Sequence, residues 1–504
     1  LEMLRYSVPT SPSPLISVVF TVPGSHCVVD VKSARNSKAA AADASLSIVF
    51  SILILSLLTQ PMTNFLQTLY TVRPMGSSTT NGSDRETVAV IGGGVSGLSA
   101  AYLLRRSHDV TLFEADSRLG GHAHTHDIES VDGSKLALDS GFIVMNEKTY
   151  PNLVRLFAEL GIETRATEMS MSIACDGCGL EYAGGRGFGG IFAQKRRLLD
   201  RRYLTMLAQV KRFHRAAHRV LEDEQLDPTW TEFLVEGGYS DYFIDHFAIP
   251  LVSCVWSCDA LEAGDFPARH LFAFLDHHGM LQVTGSPEWR TVVGGSHRYV
   301  ERIESMLGDV RLTADVTALR RHADHVELQS SDGQTYRFDR VVVATHADQA
   351  LTLLTDATEM ERRDLAAIGY SENQVTIHRD DSLLPEAAPA RASWNFRATA
   401  CRKDSASAGG VVVSYWMNRL QDLGEVENHI VSLNAEASID PSLVIARVDY
   451  AHPIFTREAV DAAARLRDSG GPRLAFAGAH LGWGFHEDGA RSGVAAAEVF
   501  GASW

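Results

Sequence analysis

The chain has 504 residues, of which 45% are hydrophobic and 21% charged, with 40 Gly and 16 Pro. This length supplies apolar material for two or three domains, and the composition excludes collagen-like and wholly disordered chains. The formal net charge is −16, and residues 85–504 hold 41 basic and 58 acidic residues, a net charge of −17. Because such a surface repels phosphates, we expect no nucleic-acid binding, and any anion site must be built locally.

The first 84 residues are predicted to be a leader separate from the folded body. Residues 44–58 form an apolar run of 15 preceded by basic residues, which is short for a membrane span and typical of a targeting segment. Residues 76–84 are small and polar, as in a flexible linker. The sequence leaves open whether the apolar run is a targeting or anchor segment or is instead untranslated or poorly ordered.

A glycine loop follows directly after this leader. The β-branched run Thr87–Ile91 predicts a strand, and Gly92-Gly93-Gly94-Val95-Ser96-Gly97 then opens a helical pattern. Gly92 allows the tight turn, Gly94 lets the backbone approach a pyrophosphate, and Gly97 lets the helix pack on the strand. The free N–H groups at Val95 and Ser96 add a partial positive charge, so the loop indicates a dinucleotide site.

Two further elements strengthen this prediction. The strand Asp109–Phe113 ends at Glu114, where a carboxylate is expected to bind ribose hydroxyls. Next comes Arg118-Leu119-Gly120-Gly121-His122, and the acid followed by Arg-x-Gly-Gly resembles the FAD signature of the amine-oxidase-like flavoprotein superfamily. In that superfamily the Arg and the glycines lie along the pyrophosphate, which implies FAD as the cofactor. The alternative is a glycine-rich turn without a ligand.

Later blocks resemble the returning parts of the same FAD domain. Asp139-Ser140-Gly141-Phe142 is similar to the segment under the flavin, and the resemblance implies adenine contact at Val316 and cofactor contact at Thr345. The C-terminal block contains Gly478 and Gly484-Phe485-His486-Glu487-Asp488-Gly489. From it the resemblance implies cofactor contacts at Gly478, Phe485, Glu487, Asp488 and Gly489.

The C-terminal block also predicts a helix aimed at the cofactor. Asp488 is a good N-cap residue, and residues 489–500 have helix-forming composition, so we expect the helix to begin at Gly489. Its positive N-terminus would stabilise negative charge on a reduced flavin and raise its reduction potential.

One branch of the superfamily matches more closely. Phe266-Pro267-Ala268, Trp289-Arg290-Thr291-Val292, His452-Pro453-Ile454-Phe455 and Gly482-Trp483-Gly484-Phe485 resemble NAD/FAD-binding oxidoreductases found beside, or fused to, cyclopropane fatty acid synthases. The resemblance implies hydride transfer from a carbon substrate, such as an unsaturated or modified fatty acyl chain, to flavin, with O2 or another acceptor reoxidising it. Alternatives are a flavin amine oxidase and a non-catalytic FAD-binding sensor or partner of a methyltransferase.

Candidates for acid–base chemistry are His480, His486 and Glu487, which the C-terminal block places near the flavin. Their alternative role is structural, in capping and hydrogen bonding. His122, His124 and His126 alternate, so one face of a strand could present a metal site. We prefer polar contacts beside the flavin, with His122 closest to it.

Six cysteines are too few for a secreted disulfide framework, so a reducing compartment, cytoplasmic or organellar, is expected. Cys175 and Cys178 form one C-x-x-C pair, and Cys254 with Cys258 forms a looser one. Together they could offer four thiolates to zinc, but neither neighbourhood resembles a zinc ribbon. We therefore expect incidental thiols and no metal site.

A basic segment stands out in the acidic body. Residues 195–219 contain nine basic residues and one acidic residue, with apolar positions at helical spacing. One interpretation is a membrane-surface helix that gives access to a lipid substrate, with peripheral membrane association. The other is a solvated helix face paired with the acidic body.

The predicted fold class is α/β, with a Rossmann-like FAD-binding domain of the glutathione-reductase type and an inserted α+β substrate domain. The FAD-binding domain is expected from three segments: residues 85–170, 289–369 and 461–504. The substrate domain is expected from residues 171–288 and 370–460.

Overall fold

The computed structural model of the chain describes residues 15–22, 25–32, 85–257, 262–282, 285–401 and 412–504. The chain divides into two units, residues 1–82 and 83–504. In the first unit, strands β1 (Leu15–Val22) and β2 (Ser25–Lys32) form an antiparallel hairpin. The predicted targeting segment at 44–58 and the polar linker at 76–84 lie outside the described residues.

The second unit contains the remaining strands and helices. Its strands are β3 (Thr87–Ile91), β4 (Asp109–Phe113), β5 (Thr125–Glu129), β6 (Lys135–Asp139), β7 (Met145–Asn146), β8 (Thr164–Thr167), β9 (Met171–Cys175), β10 (Leu180–Gly184), β11 (Trp289–Val292), β12 (Asp309–Arg311), β13 (Val316–Arg321), β14 (Val326–Ser330), β15 (Thr335–Phe338), β16 (Arg340–Val343), β17 (Tyr370–His378), β18 (Trp394–Ala398), β19 (Val412–Trp416), β20 (Ile430–Leu433), β21 (Val444–Pro453) and β22 (Leu474–Phe476). Its α-helices are α1 (Val95–Leu104), α2 (Pro151–Leu160), α3 (Gly187–Ile191), α4 (Arg201–Glu222), α5 (Trp230–Glu236), α6 (Asp241–Phe243), α7 (Ile249–Trp256), α8 (Ala268–His277), α9 (His297–Glu304), α10 (Ala347–Leu353), α11 (Glu359–Ala366), α12 (Met417–Leu420), α13 (Arg457–Arg467) and α14 (His486–Val499).

A five-stranded parallel sheet forms the centre of the unit, in the order β12-β4-β3-β16-β22. Central β3 is covered on both faces, which explains its continuous apolar run rather than an alternating pattern. Helix α1 is buried along its whole length between this sheet and α14. The fold is therefore a mixed α/β fold in which distant segments of the chain supply neighbouring strands.

A seven-stranded sheet in the order β10-β9-β18-β19-β20-β17-β21 forms a second layer. Its strands come from residues 171–184 and 370–453, and helices α4 to α8 pack together in a separate apolar core that includes Phe213, Phe243 and Phe272. No helix among the described residues has the length and hydropathy needed to cross a membrane.

The predicted start of the C-terminal helix is wrong by three residues. Helix α14 begins at His486 with Phe485 as its N-cap, not at Gly489. Asp488 still acts on the helix end, because its carboxylate accepts a hydrogen bond from the Phe485 N–H at 3.1 Å, but it does so from the third helical position.

The basic segment is helical in two parts. Residues 195–199 form a 3-10 turn, and Asp200 caps α4 by accepting hydrogen bonds from the N–H groups of Arg202 and Tyr203. Tyr203, Met206 and Phe213 are buried as helical spacing predicts, whereas Leu199 is 89% exposed.

Candidate functional site

The glycine loop after β3 has three different local constraints. Gly92 has φ +102°, and a Cβ there would lie 2.6 Å from the Ala344 carbonyl oxygen. A Cβ at Gly97 would lie 1.9 Å from the Gly92 carbonyl oxygen, so α1 could not pack against the loop. At Gly94 a Cβ would meet nothing within 4 Å, so this backbone faces open space beside the N-terminus of α1. That open face is where a phosphate could approach.

The second glycine turn packs directly on the first. The Gly120 N–H donates to the Gly93 carbonyl at 2.8 Å, and a Cβ at Gly121 would lie 3.3 Å from the Gly94 Cα. Arg118 folds over this turn and donates to the Gly121 carbonyl at 2.9 Å. The two turns therefore present their backbones side by side.

Glu114 stands at the end of β4 and is held by the loop. Its carboxylate accepts hydrogen bonds from the Gly93 N–H at 2.7 Å and from the Asp116 N–H at 2.9 Å. A Cβ at Gly93 would approach the same carboxylate to 2.9 Å. The absence of a side chain at Gly93 thus leaves room for the acid beside the phosphate-facing loop.

A cavity of about 710 Å³ runs from these turns to the seven-stranded sheet. The predicted site residues that line it are Gly92, Gly94, Val95, Ser96, Glu114, Gly121, His122, Val316, Thr345, Gly478, His480, Phe485 and His486. Six others lie behind the lining: Gly97, Arg118, Gly120, Glu487, Asp488 and Gly489.

His122 is a buried side chain with an unused nitrogen. Its ring stacks on Tyr450 at 4.4 Å, and its Nε2 has no hydrogen-bond partner among the described residues. Burial holds its pKa well below the usual value, with His452 as a further cause. His124 and His126 do not join it in a metal site, because His126 hydrogen-bonds Ser140 and His124 approaches the Tyr450 hydroxyl.

His480 and His486 are both neutral at physiological pH, because burial lowers each pKa to about 3. The His486 ring stacks on Phe142 at 3.9 Å, and its Nε2 is 2.8 Å from the Tyr299 hydroxyl. His480 lies against Gly478, where a Cβ would be 2.2 Å from its ring. Both residues face the cavity as polar groups without charge.

Glu487, predicted to take part in catalysis, lies at the start of α2 outside the cavity. Its carboxylate accepts three hydrogen bonds at the N-terminus of α2, from the Asn152 backbone and side chain and from the Leu153 N–H. These lie between 2.7 and 3.1 Å, and Glu487 does not line the cavity. It caps α2 and is not positioned to exchange a proton with a ligand in the cavity.

Asp488 and Gly489 likewise serve the packing of α14. Asp488 pairs with Arg491 at 2.7 Å, and burial raises the pKa of its carboxyl to about 6. A Cβ at Gly489 would lie 2.5 Å from Val95, and one at Gly493 would lie 2.1 Å from the Ser96 carbonyl. Gly489 and Gly493 therefore let α14 cross α1 closely, and neither Asp488 nor Gly489 is among the residues that line the cavity.

Sequence patterns missed several polar groups that the fold brings to the cavity. His346 stacks on Tyr370 at 4.4 Å, and the His452 Nδ1 lies 3.0 Å from the Asn373 amide. Tyr450 and His452 come from β21, so only its pairing with β17 places them here. His452 belongs to the block that resembles the fatty-acid-associated branch, which was the one available signal.

The half of the cavity away from the glycine turns is aromatic and apolar. Phe274 stacks on Phe485 at 4.3 Å, Trp256 contacts Phe274 at 4.9 Å, and the Trp256 indole donates to the Trp483 carbonyl. The rest of this lining includes Ile143, Val144, Met169, Met280, Val375, Trp394, Tyr415 and Leu433.

The family profile described as "Flavin containing amine oxidoreductase" matches residues 95–377, more than half of the chain. The chain belongs to this family. It is accordingly an oxidoreductase-family flavoprotein with FAD as its cofactor. The structure fits this cofactor, since Gly94 faces open space and His122 offers an unpartnered buried nitrogen in the same cavity.

Individual relatives are distant. Amine oxidase [flavin-containing] A of Sus scrofa is 28% identical over 271 residues, covering 51% of this chain and 49% of that protein. The chain thus aligns with about half the length of this relative. (S)-6-hydroxynicotine oxidase of Paenarthrobacter nicotinovorans is 26% identical over 300 residues, covering 57% of this chain and 67% of the relative.

Solved structures share the fold over most of the chain. Cyclohexylamine oxidase from Brevibacterium oxydans superposes with a TM-score of 0.63 at 18% identity, covering 82% of this chain and 98% of that chain. A CLA-producing fatty acid isomerase from P. acnes superposes with a TM-score of 0.57 at 15% identity, covering 82% and 98%. At these identities the similarity establishes the fold.

The open face of Gly94 gives a first test. Gly94 has φ −72° and ψ 179°, which alanine adopts easily, so Gly94→Ala should fold normally. The added methyl group would stand where a phosphate approaches, and we expect at least about a tenfold rise in the Kd for FAD. Gly308→Ala, whose Cβ also meets nothing within 4 Å, is the matched control. Unchanged FAD affinity in Gly94→Ala would contradict the assignment.

The capping role of Glu487 gives a second test. Glu487→Ala leaves three N–H groups at the start of α2 without their acceptor, so the free energy of unfolding should fall by about 1–3 kcal/mol. Glu498→Ala, an exposed site on the same helix, should have little effect. Chemical unfolding with the flavin spectrum recorded in parallel measures both. If Glu487→Ala kept its normal stability but its flavin were reduced more slowly, Glu487 would be catalytic and not a cap of α2.

Proposed function

We propose that the chain is an FAD-dependent oxidoreductase that removes a hydride equivalent from carbon in an apolar substrate, an unsaturated or modified fatty acyl chain. The observation that carries this proposal is the uncharged, aromatic lining of the cavity beyond the glycine turns. Two similarities support the substrate class: the sequence blocks that resemble proteins associated with cyclopropane fatty acid synthases, and the common fold with a fatty acid isomerase.

The glycine turns are proposed to hold the cofactor. Gly94 and the N-terminus of α1 would bind the pyrophosphate, Glu114 the ribose, and Val316 the adenine. His122 would offer its free Nε2 to the isoalloxazine end. Bound FAD supplies a two-electron acceptor, and O2 is the proposed final oxidant.

The charges of the lining argue for a neutral substrate portion. Among the described lining residues, the carboxylates are Glu114 and Asp315, and both lie at the nucleotide end, where the Glu114 backbone carbonyl accepts from the Ala314 N–H. The same described lining contains no Lys or Arg. Neither an ammonium nor a carboxylate would find an ion-pair partner there, whereas a hydrocarbon chain would bury apolar surface against Trp256, Phe274 and Trp394.

The buried histidines supply hydrogen-bonding groups without charge. His480 and His486 are held neutral by burial, so they bring polar nitrogens but no positive charge to the apolar cavity. The Tyr299 hydroxyl is within hydrogen-bonding distance of the His486 Nε2 and so orients the imidazole ring. The chain's contribution is to exclude water and position the substrate against an uncharged lining.

Amine oxidation is the second candidate, supported by the family and by the amine oxidases that share the fold. In the C-terminal block, Trp483 and Phe485 line the cavity. They stand where the resemblance to monoamine oxidases implies the paired tyrosines of an aromatic cage, which argues against amine oxidation. An amine would have to bind this lining as its neutral base. Its reaction rate should therefore rise with pH. A third candidate is an FAD-binding sensor or methyltransferase partner without turnover.

Anaerobic reduction of the flavin separates these candidates. The purified full chain is mixed with methyl oleate in detergent micelles, with saturated methyl stearate as the matched control, and separately with cyclohexylamine. We expect methyl oleate to bleach the oxidised flavin band and the amine to leave it unchanged. Bleaching by cyclohexylamine alone would overturn the acyl proposal, and bleaching by neither would favour the sensor or partner function.

An exposed surface with basic and apolar residues could bring the protein to a membrane that contains acyl substrates. We define the basic surface as the exposed residues Lys195, Arg196, Leu198, Leu199, Arg201, Arg202 and Leu204. Exposed leucines among positive charges suit the surface of an anionic bilayer. We propose peripheral membrane contact through this surface, and the cytoplasmic or organellar location stays a prediction.

Vesicle sedimentation tests the basic surface. The full chain should bind phosphatidylglycerol vesicles more than phosphatidylcholine vesicles, and Leu199→Glu combined with Arg201→Glu should reduce the bound fraction several-fold. Val131→Glu, at an exposed apolar residue outside the basic surface, is the control for a general effect of added acid. Equal binding of the double variant and the control would show that this surface does not contact the membrane.

A further inference from the structure

Three cysteines and one histidine come together away from the flavin cavity. The Sγ atoms of Cys175, Cys178 and Cys401 and a ring nitrogen of His246 all lie within 4.8 Å of one another. None of these residues lines the cavity. In the sequence, the other cysteine pair that could complete a site with Cys175 and Cys178 is Cys254 and Cys258. The cluster among the described residues does not include Cys254, and Cys258 lies outside those residues.

The four residues come from three separate parts of the second unit. Cys175 ends β9, Cys178 follows in the next turn, and Cys401 follows β18, which pairs in parallel with β9. His246 lies in a π-helical turn, residues 244–248, between α6 and α7. A Cβ at Gly177 would lie 2.9 Å from the Cys401 N, so only glycine lets the C-x-x-C turn close on Cys401.

The distances fit a tetrahedral metal site. For Zn–S bonds of about 2.3 Å, the edge between two sulfurs of a tetrahedron is about 3.8 Å, and an edge from sulfur to nitrogen is slightly shorter. The Cys175 and Cys401 sulfurs are 3.8 Å apart. The His246 Nε2 is 3.4 Å from the Cys178 sulfur and 3.9 Å from the Cys401 sulfur.

His246 is oriented as a ligand. Its Nδ1 lies 2.9 Å from the Tyr242 carbonyl, an acceptor, so the proton belongs on Nδ1 and the Nε2 lone pair faces the sulfurs. The Tyr182 hydroxyl donates to the His246 carbonyl at 2.7 Å, which fixes the turn itself. An imidazole held through its other nitrogen is the arrangement that metal-binding histidines commonly show.

We propose that Cys175, Cys178, His246 and Cys401 bind a structural Zn²⁺ ion. Binding would release three thiol protons to solvent and form three Zn–S bonds and one Zn–N bond, with no change of oxidation state. Four protein ligands leave no open position, so the site would not be catalytic. Cys178 and Cys401 are only half-buried, which leaves the metal a way in.

Such an ion would link the seven-stranded sheet to the helices over the cavity. Helix α7 follows the His246 turn directly and carries Val255 and Trp256, which line the cavity. The ion would therefore hold this part of the substrate wall against β9 and β18. This role is independent of which substrate the cavity takes.

Metal analysis of the full chain, purified with its FAD and without chelators, tests the proposal. We expect about one zinc ion per chain, and Cys178→Ser and His246→Asn should each lose most of it. Cys254→Ala is the matched control, because it removes a buried cysteine outside the cluster and should keep its zinc. Replacement of zinc by Co²⁺ should add the visible absorption of a tetrahedral cobalt thiolate at wavelengths beyond the flavin bands.

The wild-type protein alone can overturn the proposal, even if the variants fail to fold. Absence of zinc together with no cobalt thiolate absorption would do so. A mass two hydrogens lower than that of the reduced chain, with Cys175 and Cys401 in one disulfide-linked peptide and no bound metal, would show an oxidised pair instead. Zinc retained by both Cys178→Ser and His246→Asn would place the metal elsewhere.

Discussion

The close contact between two glycine turns is the constraint on which the rest of the structure depends. The Gly120 N–H donates to the Gly93 carbonyl, and a Cβ added at Gly121 would lie only 3.3 Å from the Gly94 Cα. This contact places the N-terminus of α1, Glu114 and the chain leading to His122 around one space. A net charge of −17 over residues 85–504 makes a general attraction for phosphates impossible, so a cofactor site must be built from backbone N–H groups and helix ends.

From that contact the cavity changes character along its length. At the glycine turns it is polar and backbone-lined, and beyond His122 it becomes aromatic, with histidines that burial keeps neutral. Helix α14 closes the space between the two regions, because Gly489 and Gly493 let it lie against α1 and bring Phe485 and His486 to the lining. A low-charge cavity next to a dinucleotide site is the physical basis for proposing chemistry on an apolar carbon chain.

Local signals predicted local structure well. The bounds of β3 and β4, Thr87–Ile91 and Asp109–Phe113, are confirmed because apolar runs between glycines and charged residues mark buried parallel strands. The predicted start of α14 was wrong because Asp488 occupies the third helical position and accepts a hydrogen bond from the N–H of the N-cap residue. In sequence, an acid in that position looks the same as an acidic N-cap. Glu487 was a catalytic candidate because the C-terminal block lies near the flavin, and its hydrogen bonds to Asn152 and Leu153 join residues more than 300 positions apart, which no local pattern reveals.

The other site residues could not be predicted from the sequence, because strand pairing between distant parts of the chain brings them together. Tyr450 and His452 reach the cavity only through the register of β21 on β17, and Cys401 meets Cys175 only because β18 pairs with β9. His246 comes from a helical turn whose neighbours in sequence are apolar and aromatic, with no ligand spacing to mark it. Such constellations depend on the three-dimensional fold and have no local sequence signature.

A crystal structure of the full chain reconstituted with FAD would show whether the cofactor lies between the glycine turns and the aromatic lining. We expect density for the pyrophosphate over Gly94 and the N-terminus of α1, for the ribose at Glu114, and for the isoalloxazine within hydrogen-bonding distance of the His122 Nε2. FAD bound elsewhere, or with its isoalloxazine away from His122 and the aromatic lining, would contradict this placement.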